Sequence, residues 1–188
     1  FLLTQTSEST MSDLLNAALA GDRRKLERFL DDIKAKNESI GAAVRRAHGA
    51  HPERSADDIV TDHCHSVRRD LAELKALAAW MAQGSKTDRD RAAQLLEALA
   101  LPAGPAMWRA LRNVVLTKEG EPRKDPVTKK HSATSPELRA LIDMLQADFV
   151  RCDEQRKASH AAMLAEAALI VVDAVRAEYR IAKGARGM

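Results

Sequence analysis

The chain has 188 residues, 45% of them hydrophobic but only 3% aromatic, so any core must be built from Leu, Ala, Ile, Val and Met. Its 30 Lys and Arg against 27 Asp and Glu give a formal charge of +3, which permits nucleic-acid binding without demanding it. Two cysteines, Cys64 and Cys152, stand outside any CxxC pattern, and the opening "FLLTQTSEST" has no basic n-region. From these features neither a disulfide scaffold nor a secretory signal is expected, and the expectation is reduced thiols in a cytoplasmic protein.

Ala, Leu, Glu, Arg and Lys dominate, all strong helix formers, and no alternating β-branched run appears, so the prediction is all-α. Ser9 or Thr10 can cap a first helix, "MSDLLNAALAG". Asp22 can cap the next, where Leu26, Phe29, Leu30 and Ile33 recur at helical spacing. Asn37 is the predicted cap of a third helix carrying Ile40 and Val44, ending near "HGAHP". Ser55, with Asp57 and Asp58 in the first turn, opens one longer helix whose stripe is Ile59, Val67, Leu71, Leu74, Leu77 and Met81. Thr87 is the predicted cap of "DRDRAAQLLEALAL". "PAGP" then breaks the chain before a short helix, "AMWRALRNVVL". Trp80 and Trp108 read as core anchors.

The stretch "LTKEGEPRKDPVTKK", residues 116–130, interrupts this pattern with two prolines, a glycine and five basic residues. Beyond it Ser135 and Pro136 form a good helix start. The apolar positions Leu138, Leu141, Ile142, Leu145 and Phe149 follow. The pattern fades over "RCDEQRKASH" and returns from Met163 to Val175, with no Pro or Gly between Pro136 and Gly184. The spacing predicts one long helix over 135–184, in which the polar middle marks either a kink or a solvated span. The expected architecture is a multi-helix bundle with one or two long C-terminal helices. No run of 18 purely apolar residues occurs, so no membrane span or membrane partner is expected.

"DHCH", Asp62 to His65, gathers metal-ligand residue types, but i and i+2 on a helix point about 200° apart. A zinc site wants i, i+4 histidines or separated CxxC pairs, so histidines on a surface and Cys64 in a core are the expectation. No GxSxG, GxxxxGK[ST] or GxGxxG is present. Asp31, Asp32, Asp57 and Asp58 read as helix-end and surface acids. Two basic clusters remain. The loop holds Lys118, Arg123, Lys124, Lys129 and Lys130. The C-terminal turns hold Arg176, Arg180, Lys183 and Arg186, with Tyr179 among them. Such cations can follow a phosphate backbone without reading bases. They can equally be a solvated loop and a helix end whose dipole favours positive charge.

A short helix bearing Trp108, then "T…GEPRK" (Thr117, Gly120, Glu121, Pro122, Arg123, Lys124), long amphipathic helices and a closing "Y…K…G" (Tyr179, Lys183, Gly187) form a familiar order. In this the chain resembles the helical insertion of UvrD/RecB-like superfamily-one DNA helicases. It is most similar to the AddA-type subunit of bacterial double-strand-break-repair helicase–nucleases. The likeness covers about residues 108–188 and is loose over 1–100. It implies a single helical subdomain of a longer chain, expected also from a start at Phe1. Its parts would be a bundle over 1–102, a basic loop over 116–134 and the long helix over 135–184. The resemblance also implies that ATP, Mg and the nuclease domain belong to the remainder of the parent chain. It makes DNA the partner, reached through Lys118, Arg123, Lys124, Lys129 and Lys130, and allows a second helicase–nuclease subunit. A helical protein-interaction or coiled-coil module without a nucleic-acid role is the competing expectation.

Overall fold

The structure is a computed structural model that describes residues 23–185. The predicted first helix, with its Ser9 or Thr10 cap, and the Asp22 cap lie outside the described residues. Among the described residues every regular element is a helix, so the fold is all-α. In chain order these are α1 (Arg23–Ala35), α2 (Ile40–Ala47), α3 (Ala56–Arg69), α4 (Leu71–Met81), α5 (Lys86–Ala100), α6 (Pro105–Val115), α7 (Lys129–Ser132) and α8 (Pro136–Ala185). They fall into two compact units. One takes in the described residues up to Glu53 and those from Ala158 onward; the other is Arg54–Lys157.

In the first unit, Asn37 does not cap α2. It has φ +51° and closes α1, its N–H bonding to Lys34 O and that of Glu38 to Ile33 O. This is a Schellman end, and Asn is among the few non-glycine residues that tolerate the left-handed region. Ser39 caps α2 instead, its hydroxyl accepting the Ala42 N–H. Leu30 and Ile33 of α1, Ala43 and Val44 of α2, and Ala162 and Val172 of α8 are buried. Lys34 pairs with Asp173 and Arg45 with Glu166, both at 3.8 Å.

The second unit holds the larger core: α4 packs on α5, α5 on α6, and α3 on α6. Leu77, Leu95, Met107, Leu111 and Phe149 are among its fully buried side chains. Ser55 opens α3 in a reciprocal capping box with Asp58. The single helix expected after it is broken at Asp70 (φ −96°, ψ 21°), which ends α3 and starts α4. Asp is a weak interior residue because its side chain competes for backbone partners. The apolar spacing on either side concealed the break. The cap of α5 is Ser85 rather than Thr87: its hydroxyl accepts Asp88 N–H while Asp88 accepts Ser85 N–H. Gly104, at φ +146°, turns the chain into α6 with Pro105 at the first helical position. Trp80 and Trp108 are both buried, as core anchors should be.

The last helix, α8, is one element of 50 residues, about 75 Å long at about 1.5 Å per residue. Its polar middle is not simply solvated, for Cys152, Asp153 and Ser159 are buried there. The expectation that no segment reaches membrane-spanning character needs correction. Within Pro136–Val175 an 18-residue window has a mean hydropathy of 1.6 and is 17% buried, enough by length and composition to cross a bilayer. The alanine-rich stretch that raises this value tolerates Glu166 and Asp173, the two acids paired with Arg45 and Lys34.

Candidate nucleic-acid interface

The basic segment is held in place by the second unit. After α6, Leu116 is buried and bridges Pro122 across a tight turn, in which Thr117 N–H bonds to Glu121 O and Gly120 N–H to Thr117 O. Gly120 sits at φ +94°, a conformation glycine adopts without strain. Pro126 and Val127 are buried farther along.

Three polar side chains tie the loop to the helices beneath it. Arg91 on α5 donates to the carbonyls of Asp125, at 2.8 Å, and Pro126. Gln146 on α8 donates to Val115 O at 2.8 Å and Arg123 O at 3.1 Å. Asp88, fully buried, accepts Thr128 N–H at 2.9 Å and the Thr128 hydroxyl at 2.7 Å while still capping α5. Burial pushes the Asp88 carboxyl up, yet the hydrogen bonds from Thr128 and Ser85 outweigh it and hold its pKa below the ordinary value. The loop's far end is fixed by Trp80. Its indole donates to Thr134 at 3.0 Å, and its ring stacks on His131 at 4.6 Å.

The predicted contact residues divide on this scaffold. Lys118 is exposed in the turn, Lys124 is exposed after the bridge, and Lys129 and Lys130 are exposed in α7. Arg123 differs: half-buried, it donates to Asn113 O at 2.9 Å, and its Nε is enclosed without a hydrogen-bond partner. Its charge is felt below, where burial and the adjacent Arg123 guanidinium lower the pKa of Arg91. Four lysine ammoniums therefore face solvent, while one guanidinium helps to build the loop. The side chains of Arg176, Tyr179, Arg180 and Lys183, together with Arg186 and Gly187, lie outside the described residues.

The "DHCH" residues are not brought together as ligands. The His63 ring meets Phe149 edge-on at 4.6 Å, the Cys64 thiol donates to Gly104 O in the core, and His65 is exposed. Among the described residues no group of three His, Cys, Asp or Glu is placed to hold a metal ion. A cavity of about 400 Å³ opens beside His63, but its rim carries Asp62, Asp70, Glu73 and Asp148 against Arg54 and Arg151. That balance does not suit an anion.

Sequence reasoning missed Asp88, Arg91 and Gln146. Asp88 carried a signal, as the third residue after Ser85 in a capping box. Arg91 and Gln146 carried none, because their partners lie more than twenty residues away in the chain. No family model, curated protein or solved structure matches the chain.

Proposed function

We propose that the chain is a non-catalytic helical subdomain of an ATP-dependent DNA helicase–nuclease of double-strand-break repair, acting in the cytoplasm, and that its basic loop contacts DNA. ATP, Mg and the nuclease chemistry would belong to the rest of the parent protein, with which the helices pack; a second subunit is compatible with this role. The observation that carries the reading is the tethered loop. Asp88, Arg91 and Gln146 hold its backbone while Lys118, Lys124, Lys129 and Lys130 remain exposed. Ammoniums on a fixed backbone lose less freedom on meeting phosphates than those on a floppy tether. Arg123 joins them through its charge more than through a free guanidinium. Contacts of this type are to phosphates, so binding should be indifferent to sequence.

The test is anisotropy of two labelled oligonucleotides of unrelated sequence. Both should bind alike, and both should be released alike when Lys118, Lys124, Lys129 and Lys130 are changed to Gln. Binding by the wild-type chain that survives this variant would remove the loop from the interface.

A helical interaction module remains a second reading, favoured by one observation. Met144, Ile170, Val175 and Ile181 are large apolar side chains left exposed on α8. Sedimentation at two concentrations distinguishes the two, since this reading requires self-association or a partner.

A further inference from the structure

Asp153 lies in the polar middle of α8 and is only 2% exposed. Three cations surround it. Arg156 donates to Oδ1 through both Nε, at 3.1 Å, and Nη2, at 2.9 Å. The Lys157 ammonium stands 2.9 Å from Oδ2, and Arg112 of α6 reaches the same oxygen at 3.8 Å. Burial pushes the Asp153 carboxyl up, but Lys157 and Arg156 more than offset this and keep it ionised. Asp153, with Glu119 acting on Arg112 from the turn, sets two carboxylates against three cations, so the cluster keeps an excess of positive charge.

Two further features make this more than the neutralisation of a buried acid. Arg156 and Arg112 both lie over the Trp108 ring, 5.1 and 5.9 Å from its centroid, so one indole holds two guanidinium groups. The cluster also adjoins the basic loop. Arg112 donates to Lys118 O at 3.4 Å, and a Cβ added at Gly120 would stand 3.0 Å from Arg112 Nη2 and 3.7 Å from Lys157 Nζ. The turn carrying Lys118 thus rests directly on the cluster. The Lys157 side chain is 57% exposed and that of Arg156 33%, so an anion can reach both.

We propose that Arg156 and Lys157, with Arg112 behind them, form a second phosphate-binding point for a nucleic-acid backbone, continuous with Lys118 and regulated by the internal competitor Asp153. This rests on the nucleic-acid reading of the loop. It adds residues from α6 and α8 that lie outside the loop. In the free protein Asp153 Oδ1 holds two donors of Arg156, while its buried Oδ2 lies beside Lys157 and Arg112 as an ion pair without a hydrogen bond. An incoming phosphodiester shares these cations, drawing Lys157 outward while Arg156 stays anchored.

The experiment uses the 188-residue chain and a fluorescein-labelled single-stranded oligonucleotide, with anisotropy read across a salt series. Lys157→Gln changes a mostly exposed side chain and should weaken binding about threefold to tenfold at low salt, with the salt slope falling by about 0.7. Asp153→Asn removes the competitor and should tighten binding several-fold, opposite to what a merely damaged protein would show. Thermal melts followed by circular dichroism confirm that each variant is folded. Wild-type binding with an unchanged slope in Lys157→Gln, or no tightening in Asp153→Asn, overturns the second point and leaves the loop reading standing. No binding by the wild-type chain overturns both. Inorganic phosphate at matched ionic strength should not displace the oligonucleotide; displacement would make this a free-phosphate site and overturn the backbone assignment.

Discussion

Asp88 shows how much can rest on one side chain. Its two oxygens cap α5 and fasten Thr128, so the start of a helix and the end of the basic loop share one buried acceptor. Asp88→Ala leaves the Ser85 and Thr128 donors unpaired and should cost about 1–3 kcal/mol in urea unfolding. It should also open the peptide bonds after Lys124, Lys129 and Lys130 to trypsin. Because the folded pKa of Asp88 is depressed, its contribution is complete above the unfolded value and is lost as pH falls through the folded one. The wild-type chain should therefore lose stability in strong acid, and Asp88→Asn should lose less over that range.

His63 works in a different window. Burial lowers its pKa, partly countered by Asp148. The unfolded chain thus takes up a proton that the folded one refuses, and stability falls as pH drops below the ordinary histidine value. His63→Gln should flatten the melting-temperature profile below about pH 6.5. The thiols should be inert: burial raises both, Cys152 to about 11. A disulfide reagent at neutral pH should titrate them only after denaturant is added.

At the scale of elements, α8 supplies the second unit with Phe149, fully buried between the His63 and Trp108 rings. Phe149→Ala should cost about 3–5 kcal/mol, read by denaturant titration, because the surrounding helices cannot close the gap. Ile170→Ser, at a side chain 52% exposed, should change stability by less than about 0.5 kcal/mol. Helices were legible wherever apolar spacing and a cap agreed, as at Ser55 and Ser135. They were misjudged where one residue type serves two ends. Asn37 closes α1 instead of opening α2, and Thr87 gives way to Ser85, whose partner lies three residues on. The polar letters of "RCDEQRKASH" likewise hid a buried acid. Asp153 is acceptable in a core because Arg156 and Lys157, one turn on, hold its carboxylate and Arg112 reaches it from another helix; the i+3 and i+4 cations are local, but the burial and the Arg112 contact are not.

For the molecule as a whole, the loop's cations could be read from the sequence, but what holds them could not. Lys118, Lys124, Lys129 and Lys130 are exposed, as solvated or DNA-facing lysines both would be. The tethering by Asp88, Arg91 and Gln146 favours a presented surface over a slack linker. DNA as the partner belongs to the proposed function, which the loop's exposed cations are compatible with. The most direct measurement is the slope of log affinity against log salt for a labelled duplex, comparing the wild-type chain with the variant in which Lys118, Lys124, Lys129 and Lys130 are Gln. The variant should bind more weakly, with a slope shallower by about 0.9 for each phosphate no longer neutralised. An unchanged slope and affinity, with the variant still folded, would contradict the proposed role of the loop.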